Sequence, residues 1–222
     1  MTADLSDIFA RYEALVAEAD TIFDRVRDMH PDCVSCGLGC SDCCHAMFDL
    51  SLVEAMYLNM RFGESFTFGP ERSAILEAAG DADRQAARIK RRIYRESTAG
   101  RDSDELLAEA ARERLRCPLL GAQDTCSLYQ FRPLTCRLYG IPSSIGGVAH
   151  TCGKTHFQKG GRYPTVALDK IQDRLAAMSK DIAERVGTRY RELHTIYVPV
   201  SMALMTRYDD AYLGVGPKKK ED

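Results

Sequence analysis

Nine cysteines stand in a chain of 222 residues, and five of them fall between Cys33 and Cys44. Thiols at that density either cross-link or hold metal, and the redox compartment decides which. The chain begins Met1-Thr2-Ala3-Asp4-Leu5, without the basic start and apolar stretch of a secretory signal, so a cytoplasmic location is expected. Thiols are kept reduced there, and a clustered pattern then points to metal rather than disulfides. Nine is odd, which rules out complete internal pairing, and the neighbours Cys43 and Cys44 are badly placed to bridge each other.

The spacings separate into two sets. The first is Cys33-x2-Cys36-x3-Cys40-x2-Cys43-Cys44, and the second is Cys117, Cys126, Cys136 and Cys152, with eight, nine and fifteen residues between them. Short spacings let one loop aim several thiolates inward with little entropy lost in closure. A metal joining both sets would staple the segments 33–44 and 117–152 together. Such binding is worth about 10–16 kcal/mol apparent, enough to order loops with few apolar anchors. Thiolates select zinc or iron–sulfur clusters over hard cations. A [4Fe–4S] cluster takes one thiolate per iron, so consecutive cysteines can both serve. One zinc also takes four ligands, but Cys43 and Cys44 would have difficulty facing the same ion. An iron–sulfur cluster, [4Fe–4S], is therefore the expected cofactor, with zinc as the alternative.

Around these loops the pattern is helical. An apolar stripe of Leu5, Ile8, Phe9, Tyr12, Leu15, Val16, Ala19, Ile22, Phe23, Val26 and Met29 predicts a helix over 4–29, stopped near Pro31. Ser51 and Glu54 form a Ser-x-x-Glu capping signature for the next helix. A longer one is expected from Pro70 to about Ser97, with a break near Gly80, and another from Ser103 to Arg116. Residues 117–129 read as two short extended pieces around a turn, and Pro133 suits the first turn of a brief helix carrying Cys136 and Tyr139. A glycine-rich loop over 140–163 follows. Leu168, Ile171, Leu175, Met178, Ile182 and Val186 stripe a further helix that Gly187 ends, and Pro199 can start a last one through Met202 and Met205. The expectation is a mainly α, single-domain chain over 1–222 with a small irregular or two-stranded cysteine-rich metal-binding insert.

The pieces Cys36-Gly37-Leu38-Gly39-Cys40-Ser41-Asp42-Cys43-Cys44, Cys117-Pro118-Leu119-Leu120, Cys126-Ser127-Leu128-Tyr129, Arg132-Pro133 and Cys136-Arg137-Leu138-Tyr139, with the later Cys152, resemble the YkgJ-like cysteine-cluster family, a zinc- or iron-chelating group with a Cys-x-x-Cys-x-x-Cys-Cys hallmark. The likeness covers about 33–152. It departs in one place, since three residues rather than two separate Cys36 from Cys40. The resemblance implies metal binding, and it makes Cys36, Cys40, Cys43, Cys44, Cys117, Cys126, Cys136 and Cys152 the candidate ligands. Flagellin lysine methylases carry a similar cysteine-rich module, so methyl transfer stands as a lesser implication. Cys36-x3-Cys40-x2-Cys43 also matches the spacing of radical S-adenosylmethionine enzymes. Asp42 stands where those enzymes usually place an aromatic, however, and no run of βα units accompanies the motif.

Arg132 and Arg137 are expected to donate to sulfur or to a bound group, against the plainer reading that they bind carbonyls and carboxylates. Cys33, His45, His150 and His156 lie close enough in sequence to ligate, although loop histidines usually face solvent. The basic run Arg84, Arg88, Lys90, Arg91, Arg92 and Arg95 reads first as a solvated helix face. A net charge of −2 gives no general pull toward nucleic acid, and no apolar run reaches membrane-spanning length, so neither partner is expected. A small-molecule or protein substrate is left open, as are redox or cluster-assisted catalysis and a purely structural or metal-carrying zinc module.

Overall fold

A computed structural model of the chain describes residues 3–37, 39–110 and 112–216. The first helix, α1 (Ser6–Met29), buries Ile8, Tyr12, Leu15, Ala19 and Val26 of the expected stripe, leaves Phe9, Val16, Ile22 and Phe23 partly buried at its margin, and exposes Met29 at its end. Strand β1 (Asp49–Ser51) leads into α2 (Leu52–Ser65), whose Ser51–Glu54 capping box is formed. Every residue from Leu52 to Leu58 is buried, which marks α2 as the central element with packing on all sides. One of its faces joins α1, α5 (Leu134–Leu138) and α6 (Leu168–Val186) in a core that includes Val53, Met56, Leu134 and Leu175. The other packs Leu58 and Phe62 against Ile75 and Ala79 of α3 (Pro70–Thr98) and Ala203 and Leu204 of α7 (Val200–Met205). Phe131 and Tyr208 touch both clusters.

Two helix expectations need correction. Helix α3 runs unbroken through Gly80. A glycine there costs about 1 kcal/mol, which packing along a helix of 29 residues outweighs. The next helix, α4 (Ser103–Ala110), ends well before Arg116. Beyond it the chain turns extended: Arg114 bridges Ala46, the Leu115 N–H donates to the His45 carbonyl at 2.9 Å, and the Cys117 N–H donates to the Cys44 carbonyl at 2.7 Å. Long-range pairing overrides local helix propensity here.

The strand content is small. β1 pairs antiparallel with β5 (Tyr197–Pro199), Leu50 opposite Val198. Within the expected glycine-rich loop, β2 (Ser143–Ile145) and β3 (Val148–His150) form a hairpin, and β2 also pairs parallel with β4 (Val166–Ala167). Residues 117–129 make an isolated Leu120–Cys126 bridge around a 3₁₀ turn at Ala122–Asp124, close to the two extended pieces expected. Gly187 caps α6 in the left-handed conformation at φ 64°, and Pro199 is the N-cap of α7. The architecture is mainly α with small sheet additions. Among the described residues no helix is long and apolar enough to cross a membrane.

Candidate metal centre

The loop over residues 39–49 is held in place by other elements. Its C-terminal part is zipped to residues 114–117 by the hydrogen bonds given above. A 3₁₀ turn over Asp42–His45 presents Cys43 and Cys44 side by side, the Cys44 N–H closing on Ser41. Cys136 rides on α5. That helix starts with its Leu134 N–H on the Glu54 carboxylate at 3.3 Å, so the capping acid of α2 also holds the helix bearing Cys136.

These elements surround a cavity of about 770 Å³. Cys36, Cys40, Cys43, Cys44, Cys117, Cys126 and Cys136 all line it, seven of the eight candidate ligands. Both sequence sets contribute, as the two-segment reading requires. Cys152 is not on this wall; it is buried beside it, its thiol donating to Asp42 Oδ2 at 3.3 Å. Cys33 and His45 do not line the cavity either. His45 faces the Ser41 carbonyl, with Nδ1 at 3.0 Å, and His150 and His156 are exposed. Among the described residues no three His, Cys, Asp or Glu side chains form a ready cage for one ion.

Crowding sets the charge state of these thiols. Cys43 is their electrostatic centre: hydrogen bonds from the Cys136 and Cys44 thiols, helped by the nearby Arg132 charge, hold its own thiol far below the ordinary range. Cys136 and Cys44 are pushed up in return, first by that interaction with Cys43 and then by burial. Burial, with neighbouring thiols adding to it, raises Cys36 and Cys117 to about 12 and lifts Cys126 and Cys152 as well. The wall accepts one thiolate beside Arg132 and disfavours the next, so further thiolates call for more positive charge, which a bound metal would supply.

The backbone is arranged toward thiolates too. The N–H two residues on addresses the sulfur in three places: Leu119 at Cys117, Leu128 at Cys126, and Lys154 at Cys152, the last at 3.4 Å. Such N–H···S contacts stabilise the anionic form and tune thiolate-bound metals.

The two arginines differ. Arg137 is buried, its Nε donating to the Arg132 carbonyl at 2.9 Å and its terminal nitrogens to Asp20 and to the Gln130 carbonyl. It ties the 130–132 turn to α1, the carbonyl-and-carboxylate role. Arg132 stacks on Tyr129 with its guanidinium carbon 3.9 Å from the ring centre; its Nε is buried without a partner, and its charge acts on Cys43 and Cys126.

Asp42 is the residue that cysteine counting passes over. It is buried; burial alone would raise its carboxyl, but hydrogen bonds from Arg114 at 2.7 Å and from Cys152, with the Arg114 and Lys154 charges, hold it low. An acidic residue enclosed between Cys40 and Cys43 was the available signal. The far wall, Ala82 and Ala86 of α3 with Val200 and Ser201 of α7, carries no motif at all.

Comparison with known proteins bears on this geometry. A family model named CxxCxxCC, whose description reads "Putative zinc- or iron-chelating domain", matches residues 32–153. The chain belongs to this cysteine-cluster family. The matched span begins just before Cys33 and ends just after Cys152, so it contains every thiol of the cavity wall together with Asp42, Arg132 and Arg137. Zinc and iron are both borderline-to-soft enough for such a donor set. No curated protein and no solved structure matches the chain.

Proposed function

We propose that this protein binds an iron–sulfur cluster, [4Fe–4S], in the thiol-lined cavity. The observation that carries the reading is the combination of seven cysteine side chains with a cavity of about 770 Å³. A closed structural zinc site takes four ligands packed directly around one ion and needs no such volume. Cavities of a few hundred to a thousand Å³ accommodate multi-atom groups. The ligand pool is Cys36, Cys40, Cys43, Cys44, Cys117, Cys126 and Cys136, with Cys152 beside them. Cys43, already favoured as thiolate, is the natural first ligand. A bound cluster supplies one-electron chemistry, or a Lewis-acidic iron where a non-protein ligand completes it.

The chain's own residues then have separate tasks. Arg132 offsets the negative charge near Cys43 and Cys126, and its unpartnered Nε is available to a sulfide or a thiolate. Arg137 fixes the turn that carries Arg132. Asp42 holds Cys152 in place through the 3.3 Å contact. Nine free thiols suit a reducing, cytoplasmic setting.

Zinc is the second reading, named beside iron in the family description, and it would make the site a staple or carrier rather than a redox centre. Anaerobic purification followed by iron, zinc and acid-labile sulfide analysis separates the two. Iron and sulfide in matched amounts are expected; stoichiometric zinc without sulfide would overturn the cluster.

A further inference from the structure

The basic run on α3 divides by partner. Arg84 pairs with Asp81, Lys90 with Asp49 at 2.6 Å, and Arg92 with Glu109 and Glu113. Arg88, Arg91 and Arg95 have no carboxylate partner among the described residues, although the chain carries 32 acidic side chains. Their i, i+3, i+7 spacing sets them on one stripe of the helix. Together with Tyr94, which is 70% exposed, they form one open, solvent-facing patch on α3. Arginine and tyrosine are, with tryptophan, the residues enriched at protein-binding hot spots, because a planar fork and a rigid ring give contact with little entropy loss.

We propose that this face docks an acidic helical segment of a partner protein. Charge complementarity commits the surface to carboxylates, which arginine binds through paired N–H donors. The three unpaired arginines span about 10 Å along the helix. That length matches glutamates at the same spacing on a partner helix. Nucleic acid is the poorer fit, because its phosphates continue well past that length, whereas this patch gives way to Asp81 at one end and Glu96 at the other, and the whole chain is net negative. The stripe also has a position relative to the cavity. Ala82, Ala86 and Lys90, which line the cavity, occupy the opposite side of α3, so a docked partner lies about one helix diameter, roughly 10 Å, from that wall. The docking surface itself does not depend on which metal the cavity holds.

The test uses the full chain and a fluorescein-labelled helical peptide presenting three glutamates on one face. Two probes are run alongside: a peptide of equal charge with its glutamates spread around the helix, and an oligouridylate of equal charge. Fluorescence anisotropy is expected to show preference for the one-faced peptide. R88E/R91E/R95E should weaken binding about tenfold or more, and raising NaCl from about 50 to about 300 mM should weaken wild-type binding by a similar factor. Tyr94→Ala should give a smaller loss. Unchanged melting and metal content in the triple variant establish that only the surface has changed. Equal binding of the two peptides, tighter binding of the oligouridylate, or full binding by the triple variant would overturn the proposal.

Discussion

Replacing Glu54 by alanine should harm the fold and the thiol wall together. The carboxylate is buried at 4% exposure and accepts from the Ser51 N–H at 3.2 Å, the Ser51 hydroxyl at 2.9 Å and the Leu134 N–H at 3.3 Å. Truncation leaves two backbone donors, one at the start of α2 and one at the start of α5, buried without acceptors. Each such orphan costs about 1–3 kcal/mol. Relief from burying a carboxyl offsets part of this, so a net loss of about 2–4 kcal/mol is expected. Glu54→Gln keeps the volume, but its single carbonyl oxygen can serve only one of the two helix starts, and about half the loss follows. Burial raises the Glu54 carboxyl above its ordinary value of 4.5, against the opposing hydrogen bonds from Ser51 and Leu134. The folded state therefore holds this proton more tightly than the unfolded chain does. The associated stability is complete below about pH 4.5 and fades as pH rises through the elevated value. The advantage of wild type over Glu54→Gln should narrow accordingly on going upward from that pH. Urea unfolding at several pH values measures both effects. A loss below about 0.5 kcal/mol for the alanine variant, or a gap that widens with pH, would refute the reasoning. Metal content supplies an independent readout, because α5 carries Cys136.

Further expectations concern the wall itself. Cys136→Ser and Cys40→Ser should each lower bound metal and thermal stability in parallel; wild-type metal content and melting in both would remove them from the ligand pool. Gly140→Ala drives a methyl into the Cys36 sulfur, so Cys36 must move, and the variant should lose metal as Cys36→Ser does, read by metal analysis. Arg137→Met leaves Asp20 and two carbonyls without their donor and should cost about 2–3 kcal/mol in urea unfolding, discounted because Asp20 is half exposed. Gly187→Ala forces an alanine to φ 64° and should cost about 1 kcal/mol without touching metal content, a control for general destabilisation.

What could be read from the residues was local chemistry. The α1 stripe, the Ser51–Glu54 box, the Gly187 stop and the Pro199 start are written within a few residues of where they act, and each is found in place. The end of α4 was not legible, because it is decided by hydrogen bonds from Leu115 and Cys117 to a loop some seventy residues earlier in the chain. For the same reason cysteine spacing identified the thiols but not the cavity. Its volume depends on Ala82 and Ala86, two small residues whose meaning appears only when α3 crosses in front of the loop. Arg137 looked equivalent to Arg132, and only burial and partners separate the anchoring residue from the one with a free nitrogen.

The far wall has a bearing on how the protein is made. All seven wall thiols are synthesised by Cys136, whereas Val200 and Ser201 leave the ribosome more than sixty residues later. During that interval the sulfurs exist on a growing chain whose enclosure still lacks its last panel, and an incoming inorganic cargo meets an open side. Loading during translation and loading of finished protein therefore differ in the wall the cargo meets, with α7 absent in the first and in place in the second.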